Sequence, residues 1–331
     1  MQKIQLSVLE LATVVEGGDA ASAINRAVEV AKHVESLGFK RIWLAEHHNM
    51  RHIASSATSV LIGHVAGKTT QIRVGSGGIM LPNHSPLVIA EQFGTLESIY
   101  PGRIDLGLGR APGTDHTTAM ALRRNIIDTS FSFPADVRQL QTYFSSDNAS
   151  AKVRAFPGEG LDIPIWILGS STDSAYLAAE MGLPYAFAAH FAPPQFRQAI
   201  DIYRKNFRPS KQLETPYVMA CVNVVAADSD EEAEFLLSSL RTLFVGVITN
   251  TRAALKPPGV LPEHYWIPDV QKLVRSMLYY TFSGSCATLR KTLSEFIAET
   301  GIDELMVTTH IYDNAARLKS FEILNDALNG A

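Results

Sequence analysis

The chain has 331 residues, 46% of them hydrophobic and 19% charged, with 29 Lys and Arg against 33 Asp and Glu for a formal net charge of -4. This composition suits a packed globular enzyme and excludes a disordered or fibrous chain. With no Lys/Arg block it also offers no electrostatic footprint for nucleic acid. Met1 to Leu11 alternates polar and apolar residues, unlike a basic and then apolar leader, and nowhere do about 18 apolar residues run together. A cytoplasmic protein with no membrane partner is expected. Cys221 and Cys286 lie far apart without CxxC spacing and read as reduced thiols with no assigned chemistry.

Strand-like runs alternate with helical patterns along almost the whole chain, the arrangement that calls for parallel strands with crossover helices. The expected strands are Ile4 to Leu9, Arg41 to Ala45, Ile72 to Ser76, Arg103 to Leu108, Ile163 to Leu168, Tyr185 to Ala188, Tyr217 to Val225 and Glu304 to Thr309. Between the first two, Ala23, Ile24, Ala27, Ala31 and Val34 recur at helical spacing over Ala20 to Leu37, and Gly38 supplies the stop. A small-residue helix is expected over Ala54 to Ala66. Leu87 to Tyr100 follows the Ser85-Pro86 capping pair and ends at Pro101-Gly102. Another helix is expected over Ala175 to Met181. Ala111 to Leu161, after the fourth strand, and Gly246 to Ser283, after the seventh, are too long for simple connections and read as insertions at the mouth of the fold. The second, with Lys256-Pro257-Pro258-Gly259 and Pro262-Glu263-His264-Tyr265-Trp266, suits a mobile lid better than a helix layer.

Eight strands with eight helices predict a single-domain (β/α)8 TIM barrel over 1–331, although a doubly wound open sheet has the same alternation. A dinucleotide-binding sheet would show GxGxxG after its first strand, where this chain has Leu11-Ala12-Thr13-Val14-Val15-Glu16-Gly17-Gly18. Gly107-Leu108-Gly109 does not continue the pattern either, because Pro112 stands where the third glycine belongs.

In a barrel the functional groups lie at the C-terminal ends of the strands, and four such places stand out. Glu46-His47-His48 follows strand two; side chains alternate in a strand, so both histidines cannot face one ligand while the backbone stays extended. One histidine there could move a proton near neutral pH, oriented by a carboxylate such as Glu46; a pair of satisfied polar residues closing a loop is the plainer alternative. Gly77-Gly78 after strand three would let backbone lie flush against a flat ligand, or simply make a sharp turn. Arg110, in Gly107-Leu108-Gly109-Arg110-Ala111-Pro112-Gly113, could grip a phosphate by a charge-assisted fork, or be a surface arginine. Ser170, Ser171 and Ser174, entering a helix, make an anion seat or ordinary caps. Their joint placement after strands two to five describes a flat ligand bearing a phosphate, for which a mononucleotide suffices.

These residues resemble the bacterial luciferase-like, flavin-dependent monooxygenases, which are (β/α)8 barrels, and the similarity covers nearly the whole chain. It is densest at Trp43 to His48, Val74 to Leu106, Leu108-Gly109-Arg110 and Ala178 to Pro184. The resemblance implies that His47 assists flavin oxygen chemistry, that Arg110 holds the FMN phosphate with Ser170, Ser171 and Ser174, and that Gly77-Gly78 is a non-prolyl cis peptide beneath the flavin ring. Gly109 departs from the luciferase α subunit, which has a cysteine there, so light emission is not implied.

The function expected is that of a monooxygenase using dioxygen and FMN reduced by a separate NAD(P)H:flavin reductase, acting on a small organic substrate. Glu46, His190 and Phe191, with Phe187 nearby, are expected at the substrate pocket, and no metal is assigned. The alternatives are hydride transfer with the deazaflavin F420, a non-catalytic flavin-binding protein, and a metal-dependent hydrolase using Glu46, His47, His52 and His84. Members of this family often pair through helices two and three, which makes a homodimer the expectation.

Overall fold

The computed structural model describes residues 3–111, 115–122 and 132–330. Its strands in chain order are β1 (Gln5–Glu10), β2 (Arg41–Leu44), β3 (Arg73–Ser76), β4 (Ile79–Met80), β5 (Ile104–Gly109), β6 (Ile165–Gly169), β7 (Tyr185–Phe187), β8 (Val218–Ala226), β9 (Thr281–Gly284) and β10 (Glu304–Thr308). Eight of them form a ring in the order β1-β2-β3-β5-β6-β7-β8-β10, all parallel, closed where β10 pairs with both β8 and β1. The expected barrel is therefore present. β4 and β9 are additions at its rim, pairing with the last residues of β5 and β8 respectively.

The helices are α1 (Ala20–Ser36), α2 (Thr58–Ala66), α3 (Pro86–Ile99), α4 (His116–Leu122), α5 (Phe133–Phe144), α6 (Thr172–Met181), α7 (Phe196–Asn206), α8 (Asp230–Ile248), α9 (Pro268–Met277), α10 (Cys286–Thr300) and α11 (Asn314–Asn329). α1 starts on a reciprocal cap, with the Asp19 side chain accepting from Ser22 N at 2.8 Å, and stops before Gly38 at φ +78°. Its Ala23, Ala27, Ala31 and Val34 stripe is buried against the sheet, as the periodicity predicts.

Side-chain alternation separates two apolar layers. Leu9, Trp43, Trp166, Ala186, Cys221 and Met306 cluster inside the barrel, where Trp43 meets Trp166 edge-on at 5.1 Å. The opposite faces of the strands form the larger core beneath the helices. The N-terminal end of the barrel is plugged by buried charge: Arg41 donates to Asp105 at 2.7 Å and to Glu304 at 2.8 Å, and Arg73 adds a second pairing to Asp105 at 2.7 Å. With that end closed, the C-terminal mouth is the place for a ligand.

The structure departs from the sequence expectations in several places. The 246–283 insertion includes α9 and β9 as regular elements, because Val274 and its neighbours pack on the apolar face of α8. α2 begins at Thr58, not Ala54, because the hydroxyls of Ser55 and Thr58 are drawn to the Ala45 carbonyl and hold the preceding residues as a loop. Ser85 precedes α3 without making a side-chain cap bond. Phe187 is not at the mouth: it points outward from β7 onto Phe196, while its neighbour Ala186 faces the barrel interior. Cys221 is buried and Cys286 half-buried, both as free thiols. Among the described residues no helix is long and apolar enough to cross a membrane.

Candidate functional site

Arg110 stands one residue beyond β5, and the turn Ser170-Ser171 leads from β6 into α6. The two meet: Arg110 Nη2 lies 3.2 Å from a carboxylate oxygen of Asp173, in the first turn of α6. Ser171 is the N-cap, and its side chain makes no cap hydrogen bond. Ser174 Oγ donates to Ser171 O at 2.7 Å and shares a 3.0 Å contact with the Tyr185 hydroxyl, while Gln195 takes the first helix amide, Thr172 N, at 3.1 Å. Ser170 is exposed beside them. The turn is tight enough that a Cβ on Gly169 would lie 1.8 Å from Ser174 Oγ. A guanidinium and a helix N-terminus thus share one spot, where an anion gains from both. Of the loop after β5, Pro112 and Gly113 lie outside the described residues.

Gly77-Gly78 forms a non-prolyl cis peptide at the end of β3. Both positions are crowded, and at Gly78 the neighbour is unyielding backbone. A Cβ on Gly77 would lie 2.6 Å from Leu9 Cδ1, and one on Gly78 would lie 2.8 Å from Gly107 O. They therefore bring bare backbone onto the top of the barrel interior, between the ends of β2 and β5.

Glu46, two residues past β2, is 1% exposed and collects donors from two chain segments. His48 Nε2 and His84 Nε2 each lie 2.8 Å from its Oε1, and Met80 N donates to Oε2 at 3.0 Å. Burial works against the carboxylate, yet these bonds hold its carboxyl below the usual range. Glu46 therefore ties the strand-two loop to the rim strand β4.

His47 turns another way: its backbone N donates to Ser55 O at 2.9 Å, and its ring acts electrostatically on His52 and His190. His190 follows β7 and packs edge-on against Phe191 at 4.8 Å. The residue as a whole is half-buried, but its ring is enclosed: Nδ1 is buried and meets no hydrogen-bond partner among the described residues. Burial first, and then His47, push its pKa down to about 4, against the opposing pull of the Cys221 carbonyl. His310, just past β10, is lowered to about 3 by burial, Arg317 and His190. His52 is lowered by burial, Arg252 and His47. Histidines from the ends of β2, β7 and β10 thus crowd the mouth, and at neutral pH His190, His310 and His52 are neutral hydrogen-bonding groups.

Comparison with known proteins agrees with this geometry. A family model described as luciferase-like monooxygenase matches residues 4–266. A protein of Escherichia coli K12 named luciferase-like monooxygenase is 50% identical over 323 residues, covering 98% of this chain and 96% of that one. The crystal structure of apo-MsnO8 superposes with a TM-score of 0.91 at 33% identity and covers 99% of each chain. The N-acetyl-S-alkylcysteine monooxygenase of Bacillus subtilis is 30% identical over 336 residues, covering 99% of each chain. The chain belongs to the luciferase-like monooxygenase family.

Membership makes the protein an oxidoreductase of the monooxygenase type. Of the residues singled out in the sequence, Arg110, Ser170, Ser171 and Ser174 come together, Gly77-Gly78 lies on the barrel top, and His190 with Phe191 lies at the mouth. In this luciferase-like monooxygenase, the hydrolase alternative's set of Glu46, His47, His52 and His84 is not the cluster that forms: Glu46 and His84 are joined by His48. The sequence reading did not single out Asp173, although it lies inside the serine turn, nor His310. His310 was within reach of the same rule, being two residues past a barrel strand.

Proposed function

We propose that this protein is an FMN-dependent monooxygenase that takes FMN already reduced by a separate NAD(P)H:flavin reductase and oxygenates a small organic substrate. The observation that carries the reading is the 3.2 Å approach of Arg110 to Asp173, since it puts the guanidinium beyond β5 and the N-terminus of α6 beyond β6 within reach of one phosphate. The residues present fit the group: a hydroxyl at Ser171 that makes no cap hydrogen bond, a turn with no room for a Cβ at Gly169, and bare backbone at Gly77-Gly78. Bound reduced FMN supplies the two electrons with which dioxygen yields one oxygen atom to substrate and one to water.

In this reading Arg110, Ser170, Ser171 and Ser174 hold the phosphate and Gly77-Gly78 backs the ring. His47 moves the proton at the reacting oxygen. Glu46 fixes the wall of the pocket through Met80 and His84. His190, kept neutral by its surroundings, and Phe191 line the pocket without adding a charge that would hold water. The relative named for N-acetyl-S-alkylcysteine makes small thioethers the first substrates to try. A homodimer through α2 and α3 fits the exposed apolar Val60, Val88 and Ile99 on those helices, and light scattering would report it. A cytoplasmic setting fits a partner reductase.

The test couples the purified protein to a flavin reductase and NADH and follows oxygen uptake and product over a panel of thioethers, ketones and amines. Product formation with FMN is expected, and His47→Ala should uncouple oxygen use from product. Binding of F420 without FMN overturns the cofactor assignment. Unchanged coupling in His47→Ala overturns the role of that histidine.

A further inference from the structure

Among the described residues, the four buried carboxylates that make ion pairs can be compared by how their charge is met. Glu10 pairs with Arg317, Asp105 with Arg41 and Arg73, and Glu304 with Arg41 and Lys40. Glu46 is different: the ion-pair partners it has are two imidazoles, His48 and His84, which bring no permanent charge. Hydrogen bonds from the two rings and from Met80 N meet the Glu46 charge where the other three have a guanidinium or ammonium, which leaves the place of a cation among these groups to be filled from solvent.

We propose that Glu46, His48 and His84 form a binding site for a divalent transition-metal ion of the zinc class. Their three candidate ligand atoms lie within 4.8 Å of one another, and both imidazole Nε2 atoms are already aimed at the same carboxylate oxygen at 2.8 Å. The set is preorganised. Met80 N holds Oε2 in place as an outer hydrogen bond, and the histidines come from a strand end and a rim loop that Glu46 itself joins. There is also a way in: Glu46 is 1% exposed, while the side chains of His48 and His84 are 15% and 27% exposed. Two imidazole nitrogens and one carboxylate select Zn2+, Co2+ or Ni2+ over Mg2+ and Ca2+, which require oxygen ligands. Three protein ligands leave a further position for water. On binding, each ring gives its Nε2 lone pair to the ion, and the proton that Nε2 shares with Glu46 moves to Nδ1 or leaves to solvent. The site uses Glu46 and His84, which the proposed function places in the pocket wall, but it rests on no flavin contact and its test contains no flavin.

The experiment uses the full chain treated with chelator and dialysed. Zn2+ is titrated by calorimetry, and Co2+ is titrated by visible absorption. One ion per chain is expected, with a Co2+ spectrum more intense than that of the aqueous ion, as low-coordinate nitrogen and oxygen ligation gives. Glu46→Gln and His84→Gln should each weaken binding by more than the roughly 10–100-fold that an outer hydrogen-bond partner is worth. His33→Gln on α1, a histidine outside the cluster, should leave it unchanged. Mg2+ should give no heat. The proposal is overturned by an aqueous-type cobalt spectrum, by equal affinity in His84→Gln, or by an equal loss in His33→Gln. Circular dichroism checks that each variant is folded; if His84→Gln is not, the cobalt spectrum of the unmodified protein decides.

Discussion

Replacing Arg110 by Met isolates the phosphate contact from the rest of the proposed flavin site, because the apolar stem is kept and only the charged fork is lost. A hydrogen bond to a charged group contributes about 1.5–3 kcal/mol. The Arg110 side chain is 45% exposed and Asp173 67% exposed, so solvent screening sets the expectation at the lower end. About 1.5 kcal/mol corresponds to roughly tenfold weaker binding of FMN. Binding phosphate also requires Arg110 to leave Asp173, a surface pairing worth about 0.2–1 kcal/mol. Asp173→Asn removes that competitor and a neighbouring negative charge, and should tighten FMN by about two- to fivefold. Riboflavin has the same ring system without the phosphate, so neither substitution should change its affinity. Quenching of flavin fluorescence on titration with protein measures all six constants, for the two flavins with the unmodified protein and each variant. Equal weakening of FMN and riboflavin in Arg110→Met, or weaker FMN binding in Asp173→Asn, would refute the assignment of the seat.

Acid should destabilise the fold in a defined window. His190 titrates near 6.5 when unfolded and near 4 when folded, so its contribution is complete above pH 6.5, falls as pH drops, and levels off near 4. That range corresponds to about 3 kcal/mol for His190. His310 adds a loss continuing to about pH 3. Urea midpoints measured from pH 7 to 4 should fall accordingly, and a flat profile counts against the buried neutral rings. Gly169→Ala places a Cβ 1.8 Å from Ser174 Oγ; it should cost about 1–3 kcal/mol by overpacking and weaken FMN by opening the turn, which thermal unfolding and the same fluorescence titration would show. Arg41→Met leaves Glu304 and Asp105 short of a cation at the closed end of the barrel. A loss of about 3–5 kcal/mol is expected, with FMN affinity unchanged because the site is at the opposite end; equilibrium unfolding and the flavin titration together test this.

Much of the candidate site was legible because barrels place function at the C-terminal ends of strands, and strand ends are readable. Short β-branched runs located the eight barrel strands to within about two residues, so Arg110, Gly77-Gly78 and the serine turn could be assigned to neighbouring ends. β4 and β9 were not legible: two- and four-residue pairings at a rim have no periodicity of their own. Nor was the direction of Phe187. Alternation says that Ala186 and Phe187 face opposite ways, but both are apolar, and only the narrow barrel interior decides that the small one goes inside.

The amino-acid sequence by itself determined the alternation of strand and helix, the closed family of folds that alternation permits, and the chemistry available at each strand end. Those are local properties, set by side-chain periodicity, glycine and charge. Tertiary structure alone decided which groups meet. That Asp173 answers Arg110, that Glu46 gathers His48 with His84, and that His190 and His310 are neutral all depend on segments from 34 to 143 residues apart in chain order being brought to one rim. Burial there changes the cost of charge, and no spacing along the chain encodes how deeply a side chain will be enclosed.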